Sequence, residues 1–286
     1  LVVQALLDAG LVVYPVNPKL SKTWRAARSV AEAKSDGGDA RVLAEGLLHQ
    51  REHLRPLRPG NQQACQLAAL VEAEKGFIDE RTAHVQQLTA LLKRYHPQML
   101  AFFDDWTTPT AWEFLLAFST PDALATAPKK RLCAFLRARH VGMSPVWLGR
   151  IEARTDALDW PRDKDLEEIH ALHAQTLARM LLALQTQLDV YRKRIEQLFE
   201  HMEGNEPFRS LPGAGEKLAP RLCAMFGEQS KDGAELSLHA MRQLSGVAPI
   251  TRQSGKKKLV LIRQACRKFW RDTLHLFAHF SKRKST

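Results

Sequence analysis

The chain has 286 residues, 45% of them hydrophobic and 26% charged, a composition that predicts a soluble protein with a sizeable core and room for two domains. No apolar run is long enough to span a bilayer, and the first residues lack the basic flank and cleavage site of a signal peptide. These features predict a cytoplasmic protein with no membrane partner. The four cysteines form no closely spaced pair, so the sequence indicates neither a zinc site nor a disulfide framework.

The net charge of +11 is concentrated at the carboxyl end. Residues 252–286 contain eleven Lys or Arg and one acidic residue, so they carry +10 while the rest of the chain is close to neutral. A polyanion is the natural partner of this tail, and an anionic membrane surface is the alternative. Phe269, Trp270, Phe277 and Phe280 lie among the cations, a mixture that suits phosphates and bases as well as a small core.

The amino-terminal part begins like half of an α/β unit. Residues 2–9 have helical periodicity that ends at Gly10, a C-cap, and residues 11–16 form a β-branched run that predicts a short buried strand. One strand cannot form a sheet, so the pattern predicts either that further strands precede Leu1 or that this piece is not stable alone.

Charged residues follow in two groups. The basic ones recur at intervals of three, along one side of a predicted helix: Lys19, Lys22, Arg25 and Arg28. That side suits a nucleic-acid backbone, and a solvated helix face is the alternative. Asp36 and Asp39 stand three apart at the start of the next helical pattern, so they share a face and can bind magnesium with carboxylates from elsewhere. A simple N-cap role for Asp36 is the alternative.

Residues 55–60 are typical of a linker, and two long apolar seams follow it. The first runs over residues 67–95 in steps of four and three, with charged interruptions at Glu74 and Arg81, and the second runs without interruption over residues 177–202. The two helices can pack as an antiparallel hairpin or pair between chains. Pro97 ends the first helix, a helical insert over residues 102–140 is broken at Pro109 and Pro121, and Pro145 and Pro161 bracket a shorter piece.

Two loops of the carboxy-terminal part suit a phosphate. Leu-Pro-Gly-Ala-Gly at residues 211–215, ahead of an apolar helical stretch, is typical of a helix-hairpin-helix module whose glycines expose backbone N–H groups, and an ordinary glycine-rich turn is the alternative. Ser254 lies between Pro249 and Gly255 in a predicted loop, and a lysine triplet follows Gly255. Such a serine can attack a phosphodiester while the lysines stabilise its charge, and a solvated basic turn is the alternative.

These motifs together resemble the DEDD insertion-sequence transposases of the IS110 type, whose relatives include site-specific DNA invertases. The resemblance is carried by five stretches: Tyr-Pro-Val-Asn-Pro at 14–18, Lys-Ser-Asp-Gly-Gly-Asp-Ala at 34–40, Leu-Pro-Gly-Ala-Gly at 211–215, Leu-Ser-Gly-Val-Ala-Pro at 244–249 and Gln-Ser-Gly-Lys at 253–256. It therefore spans nearly the whole chain.

The resemblance implies an amino-terminal RuvC-like domain with four acidic metal ligands. Asp36 and Asp39 match the last two ligands, and the first aspartate and the glutamate are expected before Leu1, so the chain is expected to be a fragment with half of the metal site. Mg²⁺ is the implied cofactor. Ser254 matches the serine that attacks DNA, which makes Ser254, Asp36 and Asp39 the predicted catalytic residues.

We therefore predict a mostly α protein with a truncated α/β part of the RNase H or RuvC-like type. Long coiled-coil helices and a small helical carboxy-terminal domain with a helix-hairpin-helix-like motif complete the fold. The predicted domains are residues 1–55, 56–203 and 204–286. The predicted DNA contacts are Gly213, Gly215, Lys217, Arg252, Lys256, Lys257, Lys258, Arg263, Arg267, Lys268 and Arg271.

The predicted function is that of a transposase, an enzyme that binds DNA and cuts and exchanges its strands. The alternative is a catalytically inactive DNA-binding remnant or a structural nucleic-acid-binding protein. The resemblance implies homo-oligomers, expected here to form through the coiled-coil helices, that act on element ends and target DNA. It also implies that some members use a guide RNA encoded by the element.

Overall fold

The computed structural model describes residues 2–28, 35–54, 56–57, 62–154, 163–227, 238–255 and 257–284. These residues are mostly helical, as predicted, with one two-stranded sheet. They form two compact units, one made of residues 1–71 and 195–286 and the other of residues 72–194. None of the helices in the described ranges is long and apolar enough to cross a membrane.

The amino-terminal part consists of three helices. They are α1 (Val2–Asp8), α2 (Pro18–Arg28) and α3 (Asp36–Gln50), and a short 3₁₀ turn (Arg51–His53) follows. The predicted end of α1 at Gly10 is confirmed, because Gly10 has φ +76° and the N–H of Leu11 donates to the carbonyl of Leu6 at 3.0 Å.

The predicted buried strand over residues 11–16 is wrong. Val13 alone forms a bridge, to Leu57, whose N–H donates to the Val13 carbonyl at 2.6 Å. Leu11 and Val12 are 54% and 60% exposed. Pro15 has no N–H to extend the ladder, and in the described part of the chain no second strand lies beside this segment. The described part of residues 2–57 is therefore helical rather than α/β, and its RuvC-like fold stays a prediction.

Helices α4 to α10 build the middle of the chain. They are α4 (Gln62–Tyr95), α5 (Pro97–Phe102), α6 (Pro109–Ala117), α7 (Pro121–Ala125), α8 (Lys129–Arg137), α9 (Pro145–Glu152) and α10 (Lys164–Glu200). Four of the five predicted breaks are confirmed, since prolines 97, 109, 121 and 145 each open a helix. The missing N–H of proline costs nothing at a first helical position. Residue 161, the fifth, lies outside the described residues.

The two predicted seams pack against each other within one chain. Arg81 Nη1 donates to Gln185 Oε1 at 2.7 Å, and Arg192 Nε donates to Glu74 Oε1 at 3.3 Å. Because the later residue of α4 meets the earlier residue of α10, the helices are antiparallel. The charged interruptions of the first seam, Glu74 and Arg81, are thus polar cross-links between the helices, which set their register.

An aromatic core fills the unit of residues 72–194. Trp112, Phe114 and Phe118 are fully buried in it, and the Trp112 indole N–H donates to the Trp106 carbonyl at 2.7 Å. The surrounding buried side chains come from all the helices of the insert and from α10: Met99, Leu124, Leu132, Leu136, Ile151 and Leu177. The insert is therefore a packed scaffold, as its apolar composition predicts.

The carboxy-terminal part adds four helices and a hairpin. They are α11 (Glu206–Ser210), α12 (Gly215–Gly227), α13 (Leu238–Leu244), β1 (Ile250–Ser254), β2 (Lys257–Leu261) and α14 (Lys268–Lys284). A second core joins α12 and α14 to the first turns of α4 and the last turns of α10 through Leu222, Trp270, Leu67 and Ile195. Burial raises the pKa of the Cys223 thiol in this core to about 11.

Candidate nucleic-acid interface

Ser254 lies at the end of a β-hairpin rather than in the predicted loop. Strands β1 and β2 pair antiparallel, with Ser254 opposite Lys257 and Ile250 opposite Leu261. Between Ser254 and Lys257 the chain reverses at Gly255, whose φ of +56° favours glycine. Lys256 lies outside the described residues.

The hairpin separates the predicted contacts onto two faces. Directly paired residues share a face, and successive residues of a strand alternate between faces. Arg252 and Ser254 are therefore on one face with Lys257, and Gln253 is on the opposite face with Lys258. The register thus places the Ser254 hydroxyl on the same face as two cations.

Both faces of the hairpin are open to solvent. The large apolar side chains of its second strand are between 41% and 63% exposed, and they are Leu259, Val260 and Leu261. A lone two-stranded hairpin is marginally stable in water. A two-stranded ribbon also has the width that the major groove of DNA admits. The exposure and the width of the hairpin therefore suit contact with a groove of DNA.

Two of the predicted DNA contacts hold the base of this hairpin. Arg263 Nε donates to the Ala248 carbonyl at 3.4 Å, and the Arg271 guanidinium donates to the Arg263 carbonyl and lies against Cys266 Sγ. Gly246, with φ +72°, lies so close that a Cβ there would come within 2.6 Å of Cys266 Sγ. Arg263 and Arg271 are half-buried, and these contacts favour a supporting role for both.

Residues 211–215, predicted as part of a helix-hairpin-helix motif, contain the tight turn between α11 and α12, and the motif itself stays a prediction. Gly213 has φ +84°, and a Cβ there would lie 2.5 Å from the backbone N of Ser281 in α14. Gly213 therefore allows α14 to pack closely. Gly215, with φ +56°, has open space around it, and Lys217 is exposed two residues further on. Gly215 and Lys217 are accessible to a phosphate at the start of α12.

Helix α14 divides its aromatic residues between core and surface. Trp270 is 4% exposed and packs in the second core, while Phe280 is 43% exposed. The Arg267 guanidinium lies 4.7 Å from the centroid of the Trp270 ring, and Lys268 is exposed. The sequence left two uses open for the aromatic residues of this tail, contact with nucleic acid and packing in a small core. Trp270 packs in the core.

The two predicted metal ligands lie in the first turn of α3. The alternative N-cap role of Asp36 is wrong, because Ser35 is the cap and its hydroxyl accepts the Gly38 N–H at 3.2 Å. Asp36 is exposed, whereas Asp39 is half-buried and its Oδ1 lies 2.5 Å from Arg25 Nη2. Lys34, the first residue of the motif, lies outside the described residues.

Helix α2 does not present a continuous basic face. Arg25 pairs with Asp39, and Arg28 Nη1 lies 2.9 Å from Glu45 Oε2, so α3 neutralises half of the predicted row. The helices approach closely at Gly46, where any Cβ would overlap the Trp24 ring. Lys19 and Lys22 remain exposed.

The described residues do not by themselves fit a metal ion. Among them, no group of three or more His, Cys, Asp or Glu side chains could hold one. Asp36 and Asp39 share a helical turn, but Asp39 already has a cationic partner in Arg25. A divalent cation would need further carboxylates, so no chemical step is assigned to a metal here.

Two features of this surface have little or no signal in the sequence. The hairpin is hard to predict because Ser-Gly is a weak turn signal, although equal runs of five residues on either side of it could have indicated paired strands. The pairing of Arg25 with Asp39 has no local signal, since fourteen positions separate the two residues.

Comparison with known proteins finds relatives for both ends of the chain. A family model for a transposase, of the DEDD type named after IS110, matches residues 1–97. A second model, for transposases of the IS116/IS110/IS902 family, matches residues 205–286. The two matches include both aspartates and Ser254.

Individual relatives agree with these models. The mini-circle putative transposase for IS117 of Streptomyces coelicolor is 29% identical over 91% of this chain and 64% of its own length. An uncharacterized 42 kDa protein of the insertion element IS900 from Mycobacterium paratuberculosis is 26% identical over 79% of this chain and 55% of its own length. An uncharacterized 43.6 kDa protein of the insertion element IS110 from Streptomyces coelicolor is 27% identical over 87% of this chain and 60% of its own length. The chain thus spans less than two thirds of each of these relatives.

Proposed function

Because the chain belongs to the IS110-type transposase family, we propose that it binds DNA and exchanges DNA strands with Ser254 as the nucleophile. One observation carries this proposal. Ser254 stands exposed at the end of a projecting hairpin, on the same face as Arg252 and Lys257. A phosphodiester that reaches the hydroxyl there also meets two positive charges.

The chemistry needs both parts of this arrangement. When Ser254 Oγ attacks phosphorus, a serine–phosphate ester forms, one DNA oxygen leaves, and negative charge grows on the phosphate oxygens. Arg252 and Lys257 stabilise that charge, an effect that typically changes a rate by about a hundredfold or more for one well-placed donor. The proton of Oγ needs an acceptor, a role that the resemblance gives to the acidic residues of the RuvC-like domain. Mg²⁺ there stays a proposal from the resemblance.

The proposed DNA contacts lie on the hairpin, at the start of α14 and at the start of α12. Lys258, Lys268 and Lys217 are exposed and suited to contact phosphates, as Lys256 is by its place in the sequence. The expected signature is a steep decrease of affinity with salt, because each neutralised phosphate releases a counterion. Element ends and target DNA are the proposed substrates. A guide RNA encoded by the element is a further proposed partner, and it rests on the resemblance alone.

Self-association through the long helices is part of the proposal. Helix α10 carries exposed apolar side chains along one side, away from the seam that packs on α4, and they are Leu166, Ile169, Leu172 and Met180. Such a second stripe favours pairing with another copy of the chain.

The test uses a protein of the relatives' full length that contains this chain. Wild type is expected to form a covalent protein–DNA species that survives denaturation. Ser254→Ala should abolish this species and leave DNA affinity within about twofold, because a neutral hydroxyl adds little to phosphate binding. Thr251→Ala is the matched control, since Thr251 is an exposed hydroxyl on the opposite face of the same hairpin. Strand exchange by Ser254→Ala at the wild-type rate would contradict the proposal.

The inactive DNA-binding remnant is the second candidate, and the pairing of Arg25 with Asp39 favours it. A carboxylate held by a guanidinium, without a third acidic ligand among the described residues, is not a complete catalytic site. The same assay separates the candidates. Salt-dependent DNA binding without any covalent product from the full-length wild type would favour the remnant.

A further inference from the structure

Helix α8 presents cations on the side opposite to the aromatic core. Leu132 and Leu136 are fully buried, whereas Lys130, Arg131 and Arg137 are exposed. From residue 129 to residue 139 the chain has five Lys or Arg and no Asp or Glu. The helix is therefore strongly amphipathic, with one face that carries only positive charge.

Two of these five cations form ion pairs with acidic side chains of the same unit. Lys129 Nζ donates to Glu152 Oε1 at 2.8 Å. Arg139 pairs with Glu113, and its guanidinium lies 3.5 Å from the centroid of the Phe135 ring. Their charges stabilise the insert, and a partner could bind them only by breaking these interactions.

The remaining cations have no such counterpart. Among the described residues, Lys130, Arg131 and Arg137 form no ion pair, although the Arg131 guanidinium lies 5.3 Å from the centroid of the Phe118 ring. The first turn of α8 contains three cations and no acid, and its N-cap, Pro128, offers no side-chain hydrogen bond. The amino-terminal end of a helix carries a partial positive charge, so cations in the first turn are repelled by it and destabilise the helix. An anion at this surface would relieve that repulsion, which the described fold leaves in place.

The spacing of the cations suits a regularly charged polymer. Lys130 and Arg137 are seven residues apart, about 10.5 Å along the helix at 1.5 Å per residue. One strand of duplex DNA offers a phosphate about every 3.4 Å along its axis, so the two side chains match phosphates about three steps apart. Ala134 lies exposed between them, and its small side chain lets the helix approach closely. Helix α8 exposes no large apolar side chain that would enter a bilayer.

We propose that α8 is a second DNA-contacting surface, which binds the phosphate backbone of duplex DNA through Lys130 and Arg137. The inference rests on the proposed function, because DNA is taken as the substrate. The hairpin and α8 belong to different compact units, so each unit has its own contact with DNA.

The experiment measures the affinity of the full chain for duplex DNA over a range of salt concentrations. Lys130→Gln/Arg137→Gln should reduce the slope of log affinity against log salt by about 2, since each phosphate that is no longer neutralised lowers it by about 0.9. Lys93→Gln/Arg94→Gln is the matched control, since it removes two exposed cations from α4 in the same unit. Its slope should stay within about 0.5 of wild type, because the same number of phosphates is neutralised. Lys130→Arg/Arg137→Lys keeps both charges and should keep the wild-type slope.

The outcomes separate this inference from the proposed function. If wild type binds DNA with a steep salt dependence and the α8 and control variants behave alike, the α8 surface is wrong and the proposed function stands. If wild type does not bind DNA, both are wrong. If the α8 variant has reduced affinity for duplex RNA but not for duplex DNA, the choice of DNA as the occupant of α8 is wrong.

Discussion

The aromatic core of residues 72–194 and the hairpin of residues 250–261 use apolar side chains in opposite ways. In the core, Trp112, Phe114 and Phe118 are fully buried between helices. In the hairpin, Leu259 and Val260 are more than half exposed, because a two-stranded ribbon has no second layer above it. Apolar residues that helices cover thus indicate a scaffold. Apolar residues that nothing in the described fold covers indicate a contact surface.

The largest difference between the two regions is expected when one apolar side chain in each is truncated and the free energy of unfolding is measured. Trp112→Ala should lower the free energy of unfolding by about 3–5 kcal/mol, since it leaves a cavity and removes the hydrogen bond to the Trp106 carbonyl. Val260→Ala should change it by less than about 0.5 kcal/mol, because the side chain is already in solvent. Urea denaturation of the two variants measures both. Equal decreases would mean that the hairpin is covered in solution.

Two glycines at the turn before α12 sharpen the comparison within one motif. Gly213 and Gly215 both have positive φ, so alanine strains either backbone by about 1–2 kcal/mol. At Gly213 the new methyl group also meets the backbone of α14, which adds about 1–3 kcal/mol, whereas Gly215 has open space. Thermal unfolding should therefore show a lower midpoint for Gly213→Ala than for Gly215→Ala. The reverse order would exclude close packing of α14 on this turn.

The two faces of the hairpin give the third comparison. Lys257→Gln should slow formation of the covalent species at saturating DNA by about tenfold or more, because Lys257 is on the face of Ser254. Lys258→Gln, on the opposite face, should lower affinity and leave that rate unchanged. Single-turnover kinetics with a full-length protein separate the two effects. Equal rates for both variants would show that the face of the hairpin does not matter.

The smallest effect is expected for magnesium at α3. Calorimetric titration of this chain with Mg²⁺ should show no tight site, because Asp36 and Asp39 are too few ligands and Arg25 already pairs with Asp39. Asp36→Asn should leave the titration unchanged. A tight site that disappears in Asp36→Asn would show that other carboxylates complete it.

The helical features were predictable because their signals are local. The spacing of the seams predicted which side of α4 and α10 is buried, and the prolines predicted where α5, α6, α7 and α9 begin. The prediction of a strand at residues 11–16 was wrong because strand formation does not depend on local signals alone. A strand needs a neighbour, and a β-branched run does not show whether one is present.

What the sequence determined by itself is the resemblance to a family, the helices and which residues are candidates for the chemistry, since all of these are patterns along the chain. Only the tertiary structure decided how those residues are placed. It put Ser254 on one face with Lys257, Gly213 against α14, and Arg25 against Asp39. The contacts of Gly213 and Arg25 join segments that the chain must fold back to bring together, and no local spacing encodes them.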